Sequence, residues 1–81
     1  MEIRKTLKFV TPLDVKLFCQ ATNTLPRNMG VYVPQDHVTI DAKSIMGMFS
    51  LNLSEPVEIQ IIGKDTLDTE KINTLFAPWE V

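Results

Sequence analysis

The chain has 81 residues, of which 44% are hydrophobic and 22% charged, and its formal net charge is −2 at pH 7. This length suits one small domain, residues 1–81, near the lower limit at which a core stabilises a fold without disulfides. The charge gives no reason to expect a nucleic-acid partner, and no apolar run approaches the roughly 20 residues of a membrane span. The N-terminal residues alternate and do not resemble a secretory signal, so we expect a cytoplasmic protein.

Cys19 and His37 are the single cysteine and the single histidine of the sequence. One cysteine excludes a disulfide within the chain, and its apolar neighbours Leu17 and Phe18 predict a core thiol in a reducing compartment. One histidine and one cysteine make no recognisable pattern of metal ligands. We therefore expect neither a metal nor another cofactor.

The first predicted element is a strand. From residue 3 to residue 9 the side chains alternate, so that Ile3, Lys5, Leu7 and Phe9 share one side. A period of two with one mostly apolar side is typical of a half-buried strand.

A helix is predicted to follow this strand. Thr11 suits its N-cap and Pro12 its first position, and Asp14 lies where a carboxylate accepts hydrogen bonds from free backbone N–H groups. We expect the helix to end before Pro26. Helical spacing predicts an apolar face made of Leu13, Leu17, Phe18 and Ala21.

Two further alternating segments, joined by a short link at residues 35–36, predict an antiparallel hairpin. The first is expected to end at Pro34, and His37 is interpreted as a solvated turn residue beside the hairpin. The predicted apolar sides are Met29, Val31 and Val33 in the first strand, and Val38, Ile40 and Ala42 in the second.

The rest of the chain predicts a short helix, a fourth strand and a last helix. Ser44 is the expected N-cap of the short helix, and Asp65 or Thr66 that of the last helix, which Pro78 should end. Trp79 is expected to pack a final turn against the sheet edge. The expected apolar residues are Ile45, Met46, Met48 and Phe49 in the short helix, Val57, Ile59 and Ile61 in the strand, and Leu67, Ile72, Leu75 and Phe76 in the last helix.

These elements follow in the order β-α-β-β-α-β-α. Strands that each show one apolar face imply a sheet that is covered on one side and exposed to water on the other. The sequence therefore predicts an α+β open-faced sandwich, with a four-stranded antiparallel sheet and three helices on one face.

Residues 41–51, DAKSIMGMFSL, strongly resemble HPr, the histidine phosphocarrier of the sugar phosphotransferase system. In that family a Lys-Ser-Ile-Met-Gly motif follows a strand and begins the second helix, and a Ser-Leu pair comes after it. Here the motif spans residues 43–47 in the same predicted context. The element order also fits, so the resemblance implies an HPr-like fold over nearly the whole chain.

A second signature of that family, His-Ala-Arg-Pro at the start of the first helix, is absent. Counting back from Lys43 without gaps, the histidine's position falls on Leu13 and the arginine's on Val15. A phosphocarrier needs a nucleophilic ring nitrogen and cationic groups around the phosphoryl oxygens. The resemblance thus implies a divergent member without the phosphocarrier histidine, in which Asp14 is interpreted as a capping carboxylate.

The resemblance also implies a modification site and a docking surface. In many Gram-positive members an ATP-dependent kinase phosphorylates the serine that matches Ser44, where the helix N-terminus and Lys43 would favour a phosphate. The family's docking residues match positions in and beside the second helix. The predicted partner-binding set is Leu13, Lys43, Ile45, Met46, Phe49 and Leu51, which we expect to form an exposed patch for phosphotransferase-system or HPr-kinase-like proteins.

Three functions stay open at this point. We favour a non-catalytic regulatory or protein-interaction module, regulated at Ser44, and not an enzyme. One alternative is a phosphocarrier with an unorthodox acceptor residue. Another is a small-molecule-binding regulatory domain, which predicts a dimer and a pocket at a sheet edge.

Overall fold

A computed structural model describes residues 2–35, 37–52, 54–63 and 69–81. The predicted order β-α-β-β-α-β-α and the α+β class are confirmed. The elements are β1 (Glu2–Leu7), α1 (Pro12–Thr22), β2 (Met29–Gln35), β3 (Val38–Asp41), α2 (Ile45–Met48), β4 (Val57–Gly63), α3 (Thr69–Phe76) and a terminal 3₁₀ turn (Ala77–Trp79).

The four strands form one antiparallel sheet in the order β1-β4-β2-β3. β4 is central, and its residue Ile61 pairs with Ile3 of β1 on one side and Val31 of β2 on the other. Along β4, Val57, Ile59 and Ile61 are buried and the alternate positions are not. The sheet is therefore covered on one face, as the alternation predicts.

The hairpin differs from the prediction in two details. β2 continues through Pro34, which pairs with Thr39 of β3. Proline is tolerated there because the pairing of β2 with β4 runs only from Met29 to Tyr32, so the missing N–H interrupts no ladder on that side. Val38 is 63% exposed and lies outside the core, because β3 is an edge strand that buries little.

The predicted start of α1 is confirmed, and of its predicted apolar face Phe18 is buried, whereas Leu13 and Leu17 are not. The buried residues are Val15, Phe18, Cys19 and Thr22, whereas Leu13 is 59% and Leu17 43% exposed. The predicted set and the buried set both have helical spacing. The predicted set contained two leucines whose side chains are exposed in the fold. Thr22 is buried in their place because its hydroxyl donates to the carbonyl of Cys19 (2.8 Å) and so remains satisfied.

An aromatic cluster joins the two long helices to the end of the first strand. The centroid of the Phe18 ring lies 5.0 Å from the ring centroid of Phe9, 5.3 Å from that of Phe76 and 5.7 Å from that of Trp79. The N–H of Lys8 donates to the carbonyl of Trp79 (2.8 Å). The terminal turn thus packs on the edge of β1, as predicted for Trp79.

α3 places its apolar residues inward as predicted. Ile72 and Phe76 are buried and Leu75 is half-buried. The helix ends at Phe76, and Pro78 lies within the 3₁₀ turn that follows. The expected N-cap, Asp65 or Thr66, and the expected core residue Leu67 lie outside the described residues.

Candidate functional site

The N-terminus of α1 is capped by the carboxylate of Asp14, a residue of the first turn of the helix. Oδ2 of Asp14 accepts hydrogen bonds from the N–H groups of Val10 (2.8 Å) and Thr11 (3.2 Å), and the N–H of Asp14 donates to Thr11 Oγ1 (3.3 Å). Pro12 contributes no N–H. The negative charge of Asp14 thus occupies the end of the helix dipole that would otherwise attract an anion.

The two positions matched to the family's histidine and arginine do not face the same space. Leu13 is exposed, whereas Val15 is fully buried in the core. Residues two apart on a helix point about 200° away from each other. A side chain at Val15 therefore packs in the core of this chain, and the match of this position to the family's arginine stays a prediction. In any register, the sequence has no histidine before His37.

His37 lies in the turn before β3 and is exposed. β3 is the edge strand opposite β1, with β4 and β2 between them. Three interstrand spacings separate the two edges by about 15 Å. This position supports the interpretation of His37 as a solvated turn residue.

The start of α2 is capped by Ser44, as predicted. The hydroxyl of Ser44 is exposed and accepts a hydrogen bond from the N–H of Gly47 (3.5 Å). Asp41, at the end of β3, also supports this turn, because its carbonyl accepts from the N–H of Ser44 (3.0 Å). No carboxylate lies at the third helical position, which is Gly47.

The end of α1 fixes the residues that precede α2. Thr22 Oγ1 lies 3.3 Å from the carbonyl oxygen of Ala42, and Asn23 Nδ2 and Cys19 Sγ lie 3.3 Å and 3.4 Å from that of Lys43. These contacts position Ser44. They could not be predicted from the sequence, because Thr22 and Asn23 carry no signal of a partner some twenty residues away.

The side chain of Lys43 is directed to the loop before β2. Its ammonium donates to the carbonyl oxygens of Met29 (2.8 Å) and Pro26 (3.5 Å). The described contacts therefore differ from the expectation that Lys43 provides a counter-charge for Ser44. A role of Lys43 in partner binding stays a prediction.

Most of the predicted apolar patch is exposed, but Leu51 is not part of it. Met46 is 81% and Phe49 47% exposed, and Ile45 is half-buried. Leu51 is only 8% exposed and, like Met48, belongs to the core. The turn after α2, in which the N–H of Leu51 donates to the carbonyl of Met48 (3.2 Å), places Leu51 in the core instead of the patch.

Cys19 is buried, as predicted for a core thiol. Burial raises the pKa of its thiol, the nearby charge of Asp41 raises it further, and a hydrogen bond from Asn23 acts in the opposite direction. The thiolate is thus disfavoured, which argues against a nucleophilic role.

The described residues contain no group of three or more His, Cys, Asp or Glu side chains arranged to hold a metal ion. Among these same residues, none of the helices combines the length and apolarity needed to cross a membrane.

A cavity lies beside Lys43, and apart from Lys43 none of its lining residues was predicted from the sequence to belong to a site. Its volume is about 470 Å³, and residues of the loop before β2 and of three strands surround it. These segments are far apart in sequence, so no local motif or periodicity could have predicted it.

Two solved structures resemble this chain. The phosphocarrier protein HPr from Bacillus anthracis str. Ames is 24% identical, with a TM-score of 0.65 over 98% of each chain. HPr-C-His from Thermoanaerobacter tengcongensis is 27% identical, with a TM-score of 0.62 over 93% of this chain and 85% of that one. Comparisons with protein-family models and with curated proteins found no match. The sheet order, the helix positions and these two likenesses together show that the chain has an HPr-like fold.

Proposed function

We propose that this chain is a phosphotransferase-system-related protein that docks protein partners through α1 and α2 and carries no phosphoryl group on histidine. The observation that carries the proposal is the exposure of Met46 (81%) and Phe49 (47%) at the helix where the sequence resembles HPr. The two solved structures with the same fold are named as HPr proteins, one of them as a phosphocarrier. The docking residues we propose are Leu13, Ile45, Met46 and Phe49, with Lys43 at their margin.

Exposed apolar side chains at these positions contribute little to the stability of the free protein. α2 is held by Met48, which is fully buried, and by the contacts from α1 to the residues before it. Burying one such side chain against a partner contributes about 1.5–3 kcal/mol. Methionine also adapts to differently shaped surfaces, which suits a site that meets several partners.

The start of α1 supports the second half of the proposal. An incoming phosphoryl group carries negative charge, and Asp14 already binds the N–H groups of Val10 and Thr11. A phosphate there would meet a carboxylate where a phosphocarrier needs donors and cations. An imidazole nucleophile is also lacking, since His37 lies at the opposite sheet edge.

Phosphoryl transfer is tested directly with phosphoenolpyruvate and the first enzyme of the phosphotransferase system. The expected result is no acid-labile phosphoryl group on this chain, while the HPr from Bacillus anthracis is labelled in a parallel reaction. Stoichiometric labelling of this chain would overturn the proposal. Labelling that persists in His37→Ala would assign the group to an unorthodox acceptor.

Docking is tested by competition in the same reaction. Excess chain should slow the labelling of the HPr from Bacillus anthracis, because both would occupy the same enzyme. Met46→Asp and Phe49→Asp should each relieve this inhibition about tenfold or more, which corresponds to losing one anchoring side chain. Val38→Asp is the matched control, because Val38 is equally apolar and 63% exposed but lies on β3. Absence of inhibition, or equal loss in all three variants, would contradict docking through α2.

Ser44 supplies a second proposal, regulatory phosphorylation. Its hydroxyl is exposed and caps a helix whose first turn contains no acidic residue. A phosphate at a helix N-terminus gains from the dipole and the free N–H groups. Incubation with ATP and an HPr kinase should add one phosphoryl group, which Ser44→Ala should lose and Ser50→Ala should keep. No incorporation into a folded chain would refute this proposal without affecting the docking proposal.

A further inference from the structure

The cavity beside Lys43 lies partly on the uncovered face of the sheet. Gly30 and Ile62 are directly paired across β2 and β4, and Tyr32 and Asp41 are paired across β2 and β3. All four line the cavity, together with Arg27 and Lys43. Its volume of about 470 Å³ falls within the range of small-molecule sites, which is roughly 300–1,000 Å³.

The floor of the cavity is built around a glycine. A Cβ at Gly30 would come within 2.4–2.7 Å of the ring and hydroxyl of Tyr32, so the tyrosine ring lies across the glycine backbone. No larger residue at position 30 permits this ring position without displacement. Ile62, 41% exposed, borders the same floor. An aromatic ring beside an aliphatic side chain forms an apolar platform that a planar ring can stack on.

The rim carries two cations and one carboxylate. The ammonium of Lys43 is held by the carbonyls of Met29 and Pro26, which fixes the loop containing Arg27 to the end of β3. Arg27 is exposed, and its guanidinium offers five donors in a planar fork that suits phosphate oxygens. Asp41 lies opposite Tyr32, and its Oδ1 accepts a hydrogen bond from the N–H of Lys43 (2.9 Å), which leaves Oδ2 to accept hydrogen bonds from hydroxyl groups.

We propose that this cavity binds a phosphorylated molecule of mononucleotide size, with a planar ring, a hydroxyl-bearing linker and one phosphate. The ring stacks on Tyr32, the phosphate binds Arg27 and the remaining donor capacity of Lys43, and the linker hydroxyls donate to Asp41. This site shares Lys43 with the margin of the proposed docking residues but includes none of Leu13, Ile45, Met46 or Phe49, and it does not depend on the proposed function.

The test is a titration of the folded chain with AMP, CMP, GMP and UMP, followed by two-dimensional ¹H–¹⁵N NMR. At least one nucleotide should bind with a Kd below about 1 mM and shift the amide signals of residues 27–32 and of Ile62. Adenosine and inorganic phosphate, the two halves of AMP, should each bind at least about tenfold more weakly than AMP, since each keeps only one set of contacts.

Three variants assign the contacts. Arg27→Gln should weaken nucleotide binding about tenfold, while Lys16→Gln, which removes the same charge from the exposed side of α1, should leave it unchanged. Tyr32→Leu should weaken nucleotide binding but leave the affinity for inorganic phosphate unchanged. Gly30→Ala should displace the tyrosine ring and weaken binding while the circular dichroism spectrum stays native.

Several outcomes would overturn the proposal. It fails if no nucleotide binds below about 1 mM, or if the shifted signals map to α1 and α2 instead of the cavity. It also fails if Lys16→Gln weakens binding as much as Arg27→Gln, because the attraction would then be nonspecific.

Discussion

The two helices that follow strands β1 and β3 begin in similar ways but present different chemistry. Both start at a hydroxyl side chain, Thr11 in α1 and Ser44 in α2. At α1 the third helical residue is Asp14, whose carboxylate binds the N–H groups of Val10 and Thr11. At α2 the third helical residue is Gly47, and the first turn contains no acidic residue.

Because of this difference, we expect the two helix starts to respond differently to an added negative charge. The start of α1 is satisfied from within, so it stabilises the helix and discourages an anion. The start of α2 has one side-chain cap, the 3.5 Å hydrogen bond to Ser44, and its other support comes from the end of α1 and from Asp41, whose carboxylate accepts from the N–H of Lys43 (2.9 Å). It is therefore the start that a negative charge, such as a phosphate on Ser44, would stabilise.

The largest expected effect on the free energy of unfolding concerns the packing of α1 against the core. Phe18→Ala should destabilise the protein by about 3–5 kcal/mol, because Phe18 is fully buried among three aromatic rings. The adjacent Leu17→Ala should change stability by less than about 1 kcal/mol, because Leu17 is 43% exposed. Urea unfolding followed by circular dichroism measures both. If both variants lost the same stability, Leu17 would have to be buried like Phe18, which would contradict the observed orientation of α1.

A smaller effect should separate the two caps. Asp14→Ala should cost about 1 kcal/mol, because it removes the carboxylate half of a capping box and frees two N–H groups. Ser44→Ala should cost about 0.5 kcal/mol, since its hydrogen bond is long and the helix it caps is short. Both free energies of unfolding are measured in urea.

Asp14→Asn provides the control for charge. It keeps an acceptor oxygen but loses the interaction with the helix dipole, so its cost should lie between zero and that of Asp14→Ala. If Ser44→Ala proved the more damaging of the two alanine variants, the start of α2 would be the more tightly satisfied one, and the contrast between the helices would be reversed.

The fold was predictable because its elements carry local signals. Alternation identified the strands, and a capping box followed by proline identified the start of α1. The buried face of α1 was not predictable, because two overlapping sets of residues have helical spacing. Only the packing of Phe18 against Phe9 and Phe76 selects the set that includes Cys19 and leaves Leu17 outside.

The candidate site was predictable in part for the same reason. The cap at Ser44 follows from the local sequence, and the exposure of Met46 was expected from the resemblance to HPr. The burial of Leu51 depends on the turn after α2. The direction of Lys43 depends on the carbonyls of Met29 and Pro26, which lie 14 and 17 residues away in the sequence. Contacts of this kind form only in the tertiary structure, so the local sequence pattern does not predict them.

The smallest expected effect tests whether the start of α2 accepts negative charge. Ser44→Asp should stabilise the protein by about 0.3–1 kcal/mol in low salt, since aspartate is as good an N-cap as serine and adds a favourable charge. This gain in stability should shrink in 1 M salt, because the Debye length there is only about 3 Å. Ser50→Asp provides a contrast and should be destabilising, because it places the same charge after the end of α2 and also removes the hydrogen bond that the Ser50 hydroxyl donates to the carbonyl of Gly47 (2.6 Å). If Ser44→Asp instead destabilised the protein, the carboxylate of Asp41 would outweigh the dipole, and a phosphate on Ser44 would loosen α2 instead of strengthening it.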